Sequence, residues 1–411
     1  MTFLNEVTTR YPDATSFAPG RPYDGLLAGH DVNGYLDRYR EHLAAGGLGP
    51  EEVAQQLLQY GPTAGTIRDL VAAMLRRDEG IDARPDDVVI TTGCQEALIV
   101  TLRALFRDQN DVLLVPTPSY TGVTGAALLL DITVRTVADG PAGVDPSAVR
   151  AGLAALRAEG RRPRALYLIP EAANPSGASL SIEVRRELLH IAEEFDILLL
   201  EDHAYAVFAP IGAAPSLKAL DRARRVVHLG TFAKAGFPGL RIGYLVADQP
   251  VGWTGGGSRN LASVITDVKS MVTVNTSPIC QAIAGGLLLS HELSLRAANV
   301  AAAEYYRTNL ALARKIMSER FDGTGLPVSW NNPSGGFFMV VTVGFDVDDD
   351  ALEQCARDHA VVWTPMRYFQ HTGGERQLRL SLSYVSPQQV RDGMGRLADF
   401  ITARCPQPLA V

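Results

Sequence analysis

Seven short, largely apolar runs, at 88–91, 112–115, 132–137, 165–169, 197–201, 226–229 and 242–246, recur along the chain. Runs of this length without strict polar alternation suit strands buried on both faces. Helical patterns such as 95–107 and 182–194 separate most of them. Alternating strands and helices build a mainly parallel sheet covered on both faces. The chain is therefore expected to be α/β, with a mainly parallel seven-stranded sheet in a large domain at 46–290. A helix is expected at 32–45, and Gly61-Pro62-Thr63-Ala64-Gly65 breaks the helical pattern that follows it. Beyond 262 the pattern turns helical, with one long stretch at 292–321 bridging towards the C-terminal part. Strands near 337–343 and 378–382 and a last helix at 386–403 then make a smaller α+β domain. That domain is expected to combine 1–45 with 291–411. The glycine-rich stretch 255–258 reads as a surface loop.

Composition narrows the function classes. A chain of 411 residues with 46% hydrophobic and 20% charged residues is ordinary for a globular enzyme. Its net charge of −7 argues against non-specific binding to nucleic acid or anionic membrane. No apolar run is long enough to cross a bilayer, and the chain opens without a secretory pattern. The four cysteines, Cys94, Cys280, Cys355 and Cys405, lack metal-ligand spacing. They read as reduced thiols in a cytoplasmic protein, and no metal is expected.

The chemistry concentrates at 230–244, GTFAKAGFPGLRIGY. Lys234 lies between two strand-like runs, in a loop shaped by Gly236, Pro238 and Gly239. A lysine is ordinarily a solvated surface charge. Here Thr231 stands three residues before it and Arg241 seven after it. A hydroxyl and a guanidinium beside an amine make a phosphate cradle next to a nucleophile, which a Schiff-base lysine and a phosphorylated aldehyde cofactor need.

This segment resembles the Schiff-base lysine signature of fold-type I pyridoxal-phosphate (PLP) enzymes, S-F-S-K-x6-R-x-G. Within them it is most similar to class I/II aminotransferases of the aminoadipate and kynurenine type. Thr231 keeps the first hydroxyl of the signature and Ala233 loses the second. The resemblance extends from about 16 to 397 and implies roles for further residues.

Gly93-Cys94-Gln95, where strand 88–91 turns into a helix, matches the family's phosphate turn. A helix N-terminus suits a phosphate because its N–H groups are unpaired. Tyr120 corresponds to the aromatic that stacks on the pyridine ring. Asn174, in an N-P-S-G turn, would bond the cofactor's phenolic oxygen. Asp202, at the end of strand 197–201, would pair with the pyridine nitrogen, and Tyr205 would donate to the phenolic oxygen. Ala204 replaces the family's usual proline between them. Tyr60 corresponds to the tyrosine that reaches the phosphate of a neighbouring subunit, which implies a homodimer with shared sites. Arg379 corresponds to the arginine that clamps the substrate α-carboxylate, with Arg376 as a nearby competitor. Asn174 and Gly20, the latter in the N-terminal segment, would also line the substrate site.

The resemblance thus implies a type I PLP-dependent transferase fold and an aminotransferase moving an amino group between an L-amino acid and a 2-keto acid. Two rival readings are another PLP reaction on an amino acid (lyase, decarboxylase or oxidase) and a PLP-binding regulator without turnover. The substrate side chain is not legible in the sequence.

Overall fold

The structure is a computed structural model that describes residues 2–140, 142–235, 237–252, 258–370 and 372–405. All seven predicted strands form. They are β1 (Val88–Thr91), β2 (Asp111–Thr117), β3 (Thr133–Gly140), β5 (Arg162–Leu168), β6 (Leu198–Asp202), β7 (Val226–Thr231) and β8 (Gly243–Val246). An eighth, β4 (Gly143–Val144), folds back antiparallel on β3 and completes an eight-stranded sheet. Two residues are too few to leave an apolar run, so the expected count of seven falls one short.

The sheet order is β1-β8-β7-β6-β5-β2-β3-β4. The pairings from β7 through β3 are parallel, whereas β8 is antiparallel to both β7 and β1. The carboxyl ends of β2, β5, β6 and β7 therefore open on one edge of the sheet, where open α/β sheets hold ligands.

Several helix starts coincide with capping side chains. The helix α1 (Val32–Ala45) begins after Asp31, which accepts from the Gly34 N–H. The helix α2 (Ile182–Glu194) begins after Ser181, whose hydroxyl accepts from Val184 N–H. The last helix, α5 (Pro387–Arg404), has a Ser386–Gln389 capping box and a proline in its first turn. These satisfy backbone donors that a helix leaves open at its start.

The long stretch predicted at 292–321 divides. A short turn, Leu295–Ala298, precedes α4 (Val300–Phe321), and the buried Asn299 between them donates to the Leu295 carbonyl. The expected break near 61–65 is present. Gly65 has φ +106°, and a Cβ there would meet Ile90 at 2.4 Å. Within the predicted loop 255–258, residues 255–257 lie outside the described residues.

A second sheet of four strands comprises β9 (Ser329–Trp330), β10 (Phe338–Thr342), β11 (Thr364–Pro365) and β12 (Gln377–Ser381). Its core, with Trp363, Leu378, Leu380, Phe400 and Ile401, also takes in Leu4, Val7 and Phe17 from the N-terminal segment. That segment is tied in by a parallel bridge, Thr15–Ser16 on Val361–Val362. By contrast, α1 lies on α3 (Pro278–Ser290) beside the large sheet, so closely that a Cβ on Gly286 would meet the Tyr35 carbonyl oxygen at 1.7 Å. Among the described residues no helix is long and apolar enough to cross a membrane.

Candidate active site

A cavity of about 420 Å³ opens at the carboxyl edge of the large sheet. Its lining brings together Gly20, Cys94, Gln95, Tyr120, Asn174, Asp202, Tyr205, Thr231, Lys234, Arg241 and Arg379. Tyr60 is the one predicted site residue it excludes. That side chain is 80% exposed and belongs to a separate groove with Gln59, Gly61 and Pro62.

The lysine loop leaves the end of β7. The Thr231 hydroxyl accepts from the Ala233 N–H at 3.0 Å, folding the chain so that Lys234 enters the cavity. Lys234 Nζ donates to the Gly20 carbonyl at 2.7 Å. Burial draws its ammonium down to about 8, with Asp202 opposing the shift and Arg379 and Arg241 adding to it. A lysine in that range offers a neutral amine near physiological pH. Gly236, expected to shape this loop, lies outside the described residues.

Beside the lysine is a cradle with no room for side chains. Gly93 has φ +77°, and a Cβ there would meet the Arg241 guanidinium at 2.5 Å. A Cβ on Gly243 would meet the Gly93 carbonyl carbon at 2.5 Å and the Cys94 nitrogen at 2.6 Å. Arg241 itself is left-handed, with φ +53°. The first turn of helix Gly93–Leu105 and the Arg241 guanidinium therefore lie close together at the cavity, an arrangement that fits a phosphate. Gln95 is held by the Gly122 carbonyl at 3.2 Å and accepts from the Tyr120 hydroxyl at 3.4 Å. Burial and then Asp202 push the Cys94 thiol well up, so it stays protonated and is no nucleophile.

Asp202 ends β6. Its Oδ2 accepts from the Tyr167 hydroxyl at 2.7 Å, while Cys94 Sγ lies 3.9 Å from Oδ1. Burial raises its carboxyl, opposed by Tyr167 and by the Lys234 charge. Tyr205 is buried and edge-packed against Phe337 and Phe338, with ring centroids 5.3 and 5.6 Å away.

Arg379, on β12, crosses from the smaller sheet. It donates to Asn174 Oδ1 at 2.9 Å and to the Ala18 carbonyl at 2.6 Å. Its guanidinium lies between the Phe338 and Phe369 rings, 4.6 and 4.8 Å from their centroids. Burial draws it down to about 10, which leaves it charged at neutral pH. Its buried Nε–H has no partner among the described residues, a donor still open to an acceptor in the cavity. Arg376, the competitor, is two-thirds exposed beside Asp346 and does not line the cavity.

Sequence reasoning missed seven contributors: Tyr167, Phe338 and Phe369 around Arg379, Ala18 through its carbonyl, and Leu4, Asn5 and Thr8 of the first helix, Thr2–Arg10. Tyr167 did leave a signal. A tyrosine inside an aliphatic buried strand needs a partner for its hydroxyl.

The comparisons with known proteins agree on one family for the chain. The family model described as aminotransferase class I and II matches residues 37–397. The chain belongs to that family. It is 47% identical to (S)-3,5-dihydroxyphenylglycine transaminase of Amycolatopsis orientalis, over all of this chain and 93% of that one. It is 29% identical to 2-aminoadipate transaminase of Thermus thermophilus, over 95% of this chain and 90% of the relative. Among solved structures, a kynurenine aminotransferase of Pyrococcus horikoshii superposes with a TM-score of 0.82 at 25% identity, covering 99% of this chain and 95% of its own. This aminotransferase thus has the type I PLP-dependent fold and uses pyridoxal phosphate to move an amino group between an amino acid and a keto acid.

Proposed function

We propose that this aminotransferase takes amino acids with a neutral, aromatic side chain close to Cα, of the arylglycine kind, and the matching 2-keto acids. One observation carries the reading. Away from Lys234, Asp202, Arg241 and Arg379, the cavity wall is formed by Leu4, Asn5, Thr8, Leu98, Tyr120, Thr121 and Phe369. Those groups offer apolar surface and neutral hydrogen-bonding ends, and no charge to meet a charged side chain. The dihydroxyphenylglycine named for the Amycolatopsis relative has that chemistry.

Pyridoxal phosphate, when bound, supplies an aldehyde for the substrate amine and a ring that takes up the electron pair left at Cα. The remaining work falls to the protein. Lys234 would hold the cofactor and then, as a free amine, carry the proton at Cα. Asp202 would keep a proton on the ring nitrogen, while Tyr205 and Asn174 would bond the phenolic oxygen. The Gly93–Gln95 turn, Thr231 and Arg241 would bind phosphate, and Tyr120 would cover the ring. Arg379 would clamp the α-carboxylate common to both acids, using a planar fork that suits two parallel bonds. Gly20 would bound the substrate side of the cavity.

The exposed Tyr60 fits a homodimer in which each cavity borrows the partner subunit's tyrosine. Leu58, Met271, Val272 and Ile279 are also exposed apolar residues, a surface a second copy could cover. The proposed domains are 46–290 around the large sheet and 1–45 with 291–411 around the smaller sheet, although α1 of the first segment packs on α3 of the large domain. A cytoplasmic location is part of this reading.

The test is a panel of amino donors with keto-acid acceptors, followed by product analysis. Phenylglycines should exceed aspartate and 2-aminoadipate by at least about tenfold in kcat/KM, the scale set by burying an unmatched charge. Preference for an acidic donor would refute the substrate reading. Borohydride trapping should label Lys234, and label on another lysine would refute that assignment.

A further inference from the structure

Asp202 has two oxygens, and the structure treats them differently. Oδ2 accepts from the Tyr167 hydroxyl at 2.7 Å, at the back of the cavity. Cys94 Sγ, 3.9 Å from Oδ1, is a weak donor at long range, and the Ala204 N–H also bonds the carboxylate; with about four lone-pair sites the group still has room for a stronger donor at Oδ1. A carboxylate turns easily about its terminal bond. Fixing one oxygen fixes the plane of the group and therefore where the other points.

The strand register explains why Tyr167 can do this. Tyr167 of β5 stands opposite Leu200 of β6. Residues two apart on a strand share a face, so Leu200 and Asp202 point the same way as Tyr167. The phenol is long enough to reach diagonally past Leu200 to the carboxylate. Tyr167 is fully buried, at 0% exposure, in a core of aliphatic neighbours. Phenylalanine would fill the same space, so what tyrosine adds there is one hydroxyl.

We propose that Tyr167 is a positioning residue for transamination, whose hydroxyl turns Asp202 so that Oδ1 would meet the cofactor's ring nitrogen. The inference rests on the reading that Asp202 faces that nitrogen. Burial raises the Asp202 carboxyl, and the Tyr167 hydrogen bond is the first of the interactions opposing it. Without the hydroxyl the carboxyl moves further up, becomes the stronger base and draws the proton from the ring nitrogen onto itself.

The experiment uses holoenzyme reconstituted with cofactor labelled with nitrogen-15 in the ring, read by NMR, alongside steady-state kinetics. Three variants are compared with the native protein: Tyr167→Phe, Asp202→Asn, and the two combined. In Tyr167→Phe the ring-nitrogen signal should move part-way from the protonated towards the neutral position. Its kcat should fall about 10- to 100-fold, the usual effect of removing a group that orients a functional ligand, with KM nearly unchanged. In the Asp202→Asn background the same substitution should change neither reading, because the two act as one unit.

A folded Tyr167→Phe with native signal and kcat would overturn the proposal, as would an equal loss in both backgrounds. If Asp202→Asn leaves the ring nitrogen protonated, the reading of Asp202 itself fails, a result separable from the first. Should Tyr167→Phe not load cofactor, Tyr167→His is read instead, since it restores an N–H donor. A protonated ring nitrogen in that variant supports the proposal and a neutral one overturns it.

Discussion

Glu201 and Asp202 are consecutive buried carboxylates on β6, and the pleat sends them to opposite faces of the sheet. On the far face Glu201 is saturated. It accepts from the Leu217 and Lys218 N–H groups at 2.7 and 3.1 Å and pairs with His228 Nδ1 at 2.9 Å. Burial alone would raise its carboxyl, but the His228 hydrogen bond, the His203 and His228 charges and the Leu217 N–H carry it down to about 2. On the cavity face Asp202 has one strong side-chain donor, and its carboxyl is raised. A buried charge with its bonds filled is a structural tie; one with an oxygen to spare can serve a ligand.

Asp202→Ala should separate the roles of the two carboxylates by the largest margin. Folding should survive, because no strand or helix start depends on this side chain, while kcat should fall by roughly three orders of magnitude. Cofactor content and circular dichroism establish the first point and single-turnover absorbance the second. Near-native turnover in a loaded variant would move the ring-nitrogen role elsewhere.

Glu201→Gln should do the reverse. Removing the charge beside His228 and weakening two bonds to backbone N–H groups should cost about 3 kcal/mol in denaturant unfolding. The kcat per folded, loaded molecule should change by less than about threefold, well below one 1.4 kcal/mol step. The native tie should also weaken in acid. The Glu201 carboxyl lies below its ordinary 4.5, so its stabilising contribution is complete above that value and disappears as pH falls towards about 2. An unfolding profile with the same acid slope in Glu201→Gln would contradict this assignment.

A third carboxylate sharpens the rule with a smaller effect. Asp139 of β3 has one buried oxygen without a partner among the described residues, and burial lifts its carboxyl to about 7 from 3.8. The folded state then holds the proton longer than the unfolded state does. Stability from this group is full below about 3.8, declines as pH rises towards 7, and is absent above that. Asp139→Asn should therefore stabilise the protein by on the order of 1 kcal/mol at pH 8 and by little at pH 4. Thermal unfolding at the two pH values measures the difference.

Much of the architecture was legible because it follows from local patterns. The apolar runs became the seven main strands, and α2 spans 182–194 as its periodicity implied. The Lys234 segment, the Gly93 turn and Asp202 were readable because each needs a particular residue type at a particular turn or strand end. What escaped was either too short to have a period, as with Gly143–Val144, or chemically ambiguous in isolation, as with Tyr167 and Phe369.

By itself, then, the sequence determined which residues could do chemistry and on which strand ends they would stand, since strand pleat and turn geometry are local. The tertiary structure alone decided their company. Arg379 reaches Asn174 only because a strand of the smaller sheet meets a loop of the larger, 205 residues away in sequence. It also decided what meets Glu201 on the opposite face: the Leu217 and Lys218 N–H groups and His228 of β7. That depends on where β6 lies between β5 and β7, and strand neighbours are chosen by burial across the whole fold and not by any stretch of chain.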